Sequence, residues 1–78
     1  MELQLQLQTV FVEELGIPAE RVNDELRYGE TLEWDSIAHM ALVAAIEVSF
    51  DIMIEAEDVI DMSSFAAAIR IVTKYRQG

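Results

Sequence analysis

The chain has 78 residues, with five Lys plus Arg against fifteen Asp plus Glu, a formal charge of −10, no Cys and one Pro. That length admits one core, hence a single domain over residues 1–78. The absence of Cys excludes a disulfide framework, a thiolate metal site and a thiol nucleophile, and the acidic balance argues against a nucleic-acid partner and for partners with basic surfaces.

A hydrophobic share of 53% suffices for a core. No apolar run approaches the roughly 20 residues that span a bilayer, and the opening Met1-Glu2-Leu3-Gln4 has no basic n-region of a signal peptide. These features describe a soluble, cytoplasmic chain without a membrane partner, too small for a deep pocket with several converging groups.

The first segment carries two competing periods. Leu3, Leu5 and Leu7 alternate with Gln4, Gln6 and Gln8, which is strand spacing. Leu3, Leu7, Val10, Phe11 and Leu15 fall instead on one helical stripe. Leu and Gln are good helix formers, so the segment is predicted helical from about residue 3 to 15, with Leu5 on the polar side. Gly16 suits the residue past the helix end, and Pro18 follows as a stop. Residues 16–34 show no sustained period, but Ile17, Val22, Leu26, Leu32 and Trp34 are spaced apolar plugs. So long a connection is expected to lie pinned across a helical core.

From Ile37 to Phe50 only His39, Glu47 and Ser49 are polar. A helix apolar on nearly every side is normally buried. It is therefore either the central helix of a small bundle or a helix with surface left for a partner. Ile37, Met40, Ala41, Ala44 and Val48 form the expected core stripe, widened by Leu42, Val43 and Ile46. At its entrance Ser36 is the expected cap, and Asp35 suits the positive end of the helix dipole. After Asp51 and the connector Ile52-Met53-Ile54, residues 55–60 read as one or two helical turns with acids at the start. Ser63-Ser64 then caps a last helix with Phe65, Ala68, Ile69, Val72 and Tyr75 on one stripe. The fold class is all-α: a small four-helix bundle of three main helices and one short one, with a long loop after the first.

Between Arg27 and Arg70 there is no Lys or Arg, while Glu30, Glu33, Asp35, Glu47, Asp51, Glu55, Glu57, Asp58 and Asp61 fall in that window. This one-sign field reads either as a solubilising face or as a docking face for a basic partner. Enzymatic readings are weak. Asp35, Ser36 and His39 contain the residue types of a hydrolytic triad, but Asp35 adjoins the serine instead of supporting the far side of the histidine. No glycine-rich oxyanion turn accompanies them. The acids from Asp51 to Asp61 lack the Gly of a calcium loop, so no metal site is expected. What remains is a serine at the start of an apolar helix, after a long loop and inside an acidic field. Such a hydroxyl is a poor nucleophile unaided and a good acceptor where another enzyme supplies base and metal.

The segment Asp35-Ser36-Ile37-Ala38-His39-Met40-Ala41-Leu42-Val43-Ala44-Ala45-Ile46-Glu47 resembles the attachment motif of acyl carrier proteins and the wider phosphopantetheine-carrier family, with Ile37 for the usual Leu and with Glu47 and Phe50 in place. Leu15-Gly16-Ile17-Pro18, Phe50-Asp51-Ile52, Glu55 to Val59 and Ser63-Ser64-Phe65 extend the likeness over nearly the whole chain. The resemblance implies a non-catalytic carrier acting as a monomer. Its cofactor would be 4′-phosphopantetheine, placed on Ser36 from coenzyme A by a phosphopantetheinyl transferase, with acyl or aminoacyl cargo held as a thioester. By position in the motif it implies Asp35, Ile37, Met40, Glu47, Glu55, Glu57 and Asp58 as docking residues for the basic surfaces of loading and processing enzymes. Glu33 and Trp34 depart from the usual residues before the Asp-Ser pair, and Ala38, Ala41 and Val48 stand where fatty-acid carriers usually bear acids. The likeness is therefore closer to carriers of specialised biosynthesis, of polyketide or aminoacyl type. Trp34 reads either as a core plug under the loop or as a partner contact. The reading from another class is an unmodified acidic helical adaptor.

Overall fold

The computed structural model describes residues 2–77; Met1 and Gly78, the ends of the expected single domain, lie outside the described residues. Helices α1 (Glu2–Leu15), α2 (Ser36–Phe50), α3 (Ala56–Asp61) and α4 (Phe65–Gln77) follow one another, with a single 3₁₀ turn at Ala19–Arg21 in the long first connection. The all-α, four-helix expectation is met. Among the described residues no helix is long and apolar enough to cross a membrane.

Helix α1 buries Leu7, Val10, Phe11 and Leu15 and leaves Leu5 exposed. The helical period therefore wins over the strand-like alternation, because only a helix puts these side chains on one face. Gly16 closes it at φ +68°, a left-handed conformation that suits glycine. The polar face is not idle. Gln6 Nε2 donates to the Ser49 carbonyl and hydroxyl at the end of α2, and Gln8 Nε2 donates to the Ala19 and Val22 carbonyls.

The long connection is pinned as expected. Ile17, Val22, Leu26 and Trp34 are buried. Tyr28 N–H donates to the Ser63 carbonyl and Phe65 N–H to the Leu26 carbonyl, tying the loop to the entry of α4. Leu32 does not plug the core: it is 96% exposed. It sits in the tight turn closed by Trp34 N–H donating to the Thr31 carbonyl, which turns its side chain outward while Trp34 takes the space inside.

The expected core stripe of α2 is overturned. Leu42, Val43, Ile46 and Phe50 are buried, whereas Ile37 is 81% and Val48 84% exposed, and Met40, Ala41 and Ala44 are also exposed. The residues taken as widening the stripe are the core itself. Both sets have helical spacing, and packing against α1 decides which one faces inward. Trp34, Phe11 and Phe65 fill the centre, with Phe11 edge-on to both Trp34 and Phe65 at ring separations of 5.2 and 5.1 Å. Trp34 is thus a core plug.

Ser64 accepts from Ala67 N–H and caps α4, as expected. On α4 the buried set is Phe65, Ala67, Ala68, Ile71 and Val72, and Ile69 and Tyr75 are only partly covered. Helix α3 spans only Ala56–Asp61, too short to stand alone. Tyr75 of α4 completes it: its hydroxyl accepts from Glu55 N–H and donates to Asp58 Oδ2, which also accepts from Lys74 Nζ at 2.8 Å.

Candidate functional site

The loop delivers Ser36 to the first position of α2. The cap expected of Ser36 is made by its neighbour: Asp35 is the N-cap, its backbone extended, and its Oδ1 accepts from Ala38 N–H at 2.8 Å. A carboxylate is the stronger acceptor and suits the positive helix end, so it takes this role from the hydroxyl. Ser36 is therefore left exposed at the helix tip.

Beside Ser36 runs a largely apolar cleft of about 360 Å³, whose walls are Tyr28 from the loop, His39 and Met40 from α2, Val59 and Ile60 from α3, and Met62. His39 lies one turn below the serine. Its Nδ1 accepts from Trp34 Nε1–H at 3.0 Å, and its Nε2 stands 2.8 Å from the Val59 carbonyl. Both ring nitrogens are engaged within the fold, and the Asp35 oxygen nearest the helix is committed to capping. The triad types are adjacent in space but are not arranged as nucleophile, base and support.

The implied docking residues fall into two groups. Asp35, Ile37, Met40, Glu55 and Glu57 are exposed. Glu47 and Asp58 are partly buried and bonded internally. Glu47 Oε2 accepts from Ile54 N–H at 2.8 Å, holding the α2–α3 connector under the left-handed Asp51 at φ 55°. Asp58 braces α3 to α4. The hydrogen bond from Lys74, with that from Tyr75, holds its carboxyl below the usual carboxylate range; the same bond from the other side raises Lys74, and Asp58 likewise raises Tyr75. Asp58 is therefore not the free surface acid that its place in an acidic run suggests. These braces join residues 16 to 17 positions apart, and no local pattern announces them. The Trp34–His39 pair was within reach of the sequence only as two polar-edged residues five positions apart. Among the described residues no group of three or more His, Asp or Glu is placed to hold a metal ion.

The family model described as the phosphopantetheine attachment site matches residues 6–72. The chain belongs to this family. Phosphopantetheine-binding domains are carriers without catalysis of their own, and they bear a covalently attached 4′-phosphopantetheine. They work with a phosphopantetheinyl transferase and with biosynthetic enzymes. The match runs from residue 6 within α1 to residue 72 within α4, so it includes the helix tip, the cleft and most of the core that supports both.

Proposed function

We propose that this carrier holds acyl or aminoacyl intermediates as thioesters on a 4′-phosphopantetheine arm joined to Ser36, and that residues 1–78 form one carrier domain. The observation that carries this reading is the exposed hydroxyl of Ser36 at the tip of α2, relieved of capping by Asp35 and standing at the mouth of an apolar cleft. In the transfer from coenzyme A, Ser36 Oγ forms a bond to phosphorus, a bond within the pyrophosphate breaks, and 3′,5′-ADP leaves. The base and Mg²⁺ belong to the transferase. The resulting phosphodiester would lie against the free N–H groups of a helix start, where an anion is favoured. The arm supplies the thiol that this Cys-free chain lacks.

Docking in this reading uses Asp35, Ile37, Met40, Glu55 and Glu57 directly, while Glu47 and Asp58 hold the connector and α3 in place around them. Small charged interfaces favour fast, reversible encounters, as a carrier visiting several enzymes requires. We assign the chain to a specialised pathway of polyketide or aminoacyl type, and to the cytoplasm as a monomer; support for the pathway type comes from the apolar outer face of α2, where Ala41 and Val48 are exposed.

Incubation with a phosphopantetheinyl transferase, Mg²⁺ and coenzyme A, followed by intact-mass measurement, tests the assignment. One arm should be added to the wild type and none to Ser36→Ala. No gain in the wild type, beside a control carrier modified in parallel, would overturn it and leave the unmodified adaptor.

A further inference from the structure

His39 faces two different parts of the chain through its two ring nitrogens: Trp34 Nε1 at 3.0 Å from Nδ1, and the Val59 carbonyl oxygen at 2.8 Å from Nε2. An indole N–H can only donate, and a carbonyl can only accept. One ring state satisfies both contacts. Nδ1 is bare and accepts from Trp34, and Nε2 carries the proton and donates to Val59. A second proton, taken from water onto Nδ1, would set two N–H donors against each other at 3.0 Å. The bond from Nε2–H to Val59 would remain.

We propose that His39 is a positioning residue for the Ser36 site and works as a one-sided latch. In the neutral form it fastens the loop to α2 through Trp34. On protonation it lets go of the Trp34 indole, loosening residues 29–35 while the rest of the loop stays pinned, and keeps α3. The two partners sit on separate elements, so one proton acts on one of them alone. Trp34 is fully buried, so its indole N–H has no ready substitute partner when Nδ1 stops accepting. The released segment leads straight into the site. Trp34 N–H donates to Thr31, Gly29 N–H donates to Trp34, and Asp35, the cap of α2, comes next.

The surroundings leave the ring's charge to decide this. From the loop the ring meets Tyr28 at 5.3 Å and Trp34 at 5.9 Å between centroids. From α3 it meets the Val59 carbonyl; of the acids beside that residue, Asp58 is turned to Lys74 and Tyr75, and Asp61 is exposed. On α2 itself the Asp35 carboxylate is bonded to Ala38 N–H. Phe11 of α1 meets Trp34, and Phe65 of α4 meets Phe11, so neither contact brings a charge to the ring.

The test uses the full chain without an arm, so its outcome is separate from that of the mass measurement above. Trp34 is the single Trp, so one indole N–H resonance reports the latch. As pH is lowered from neutral toward the onset of carboxylate titration, this resonance should shift in one step if Nδ1 stops accepting. Over the same range the hydrogen-exchange protection of the Gly29 and Trp34 amides, corrected for intrinsic rates, should fall roughly 2- to 10-fold, as the loss of one hydrogen bond implies. Protection of the Val59 and Met62 amides in and after α3 should stay constant. His39→Phe should hold the loop amides at the low value across that range. His39→Asn, which keeps an acceptor toward Trp34, should make them independent of pH. A wild type without the step, the same step in His39→Phe, or α3 loosening together with the loop would overturn the latch.

Discussion

The two sides of α2 are alike in composition and opposite in fate. Leu42, Val43, Ile46 and Phe50 lie buried against the rest of the bundle, and Ile37, Met40, Ala41, Ala44 and Val48 face outward. A helix this uniformly apolar has no inside of its own. Hydrophobicity drove it to pack, and its packing against α1 chose the covered side. The inner side contributes to stability. The outer side, flanked by the exposed acids Glu55 and Glu57, remains available to other molecules.

The sharpest way to break this distinction is truncation on the inner side. Leu42→Ala or Phe65→Ala should lower stability by roughly 2–5 kcal/mol, read by denaturant unfolding. In a domain of this size that is a large part of the total. A loss under about 0.5 kcal/mol, the range of surface substitutions, would mean that the inner side has been misassigned. Trp34→Phe comes next. It keeps an aromatic plug and removes the indole bond to His39, so the expected loss is about 1 kcal/mol. A variant as stable as the wild type would show that the bond adds nothing to folding.

Asp58→Asn probes the brace through pH. The lowered Asp58 carboxyl stabilises the fold above its unfolded titration, and that contribution disappears as pH falls through its lowered native value. The raised Lys74 and Tyr75 contribute below their unfolded titrations and lose that contribution as pH rises through their raised native values. Stability profiles of wild type and Asp58→Asn should therefore differ most near neutral pH and converge at acid and alkaline extremes. A constant offset across the whole range would remove the brace from the account.

The smallest effect on folding belongs to the outer side. Ile37→Ala or Glu57→Lys should change stability by no more than about 0.5 kcal/mol. Each should nevertheless slow arm transfer or cargo loading by partner enzymes, seen as a lower kcat/KM with unchanged circular dichroism. Unchanged kinetics in both variants would remove this side from docking.

Much of the fold was legible because it is written locally. The stripe Leu7, Val10, Phe11 and Leu15, the stop at Gly16 and the cap at Ser64 each depend on residues within a few positions of one another. On α1 the helical stripe prevails over the strand-like alternation, and on α4 the buried face is shifted toward Ala67 and Ile71, with Ile69 and Tyr75 at its edge. On α2 two solutions had equal spacing, and no local signal separated them. Leu32 departs from the expected plug because apolar character alone says nothing about which side of a tight turn a residue occupies. At the candidate site, the Asp35-Ser36 pair at a helix start was readable, but the exchange of roles between them was not. Which side chain caps depends on which residue has the extended backbone at the junction, and here that is Asp35.

By itself the order of residues determined that this chain would be a small acidic helical bundle with a serine at the tip of an apolar helix, because helix periodicity, end signals and net charge are properties of neighbouring residues. Only the tertiary structure decided which side of α2 is covered, that Asp58 and Glu47 are braces, and that His39 joins the loop to α3. These depend on groups far apart in the chain meeting at hydrogen-bond distance, and such meetings exist only once the core has packed.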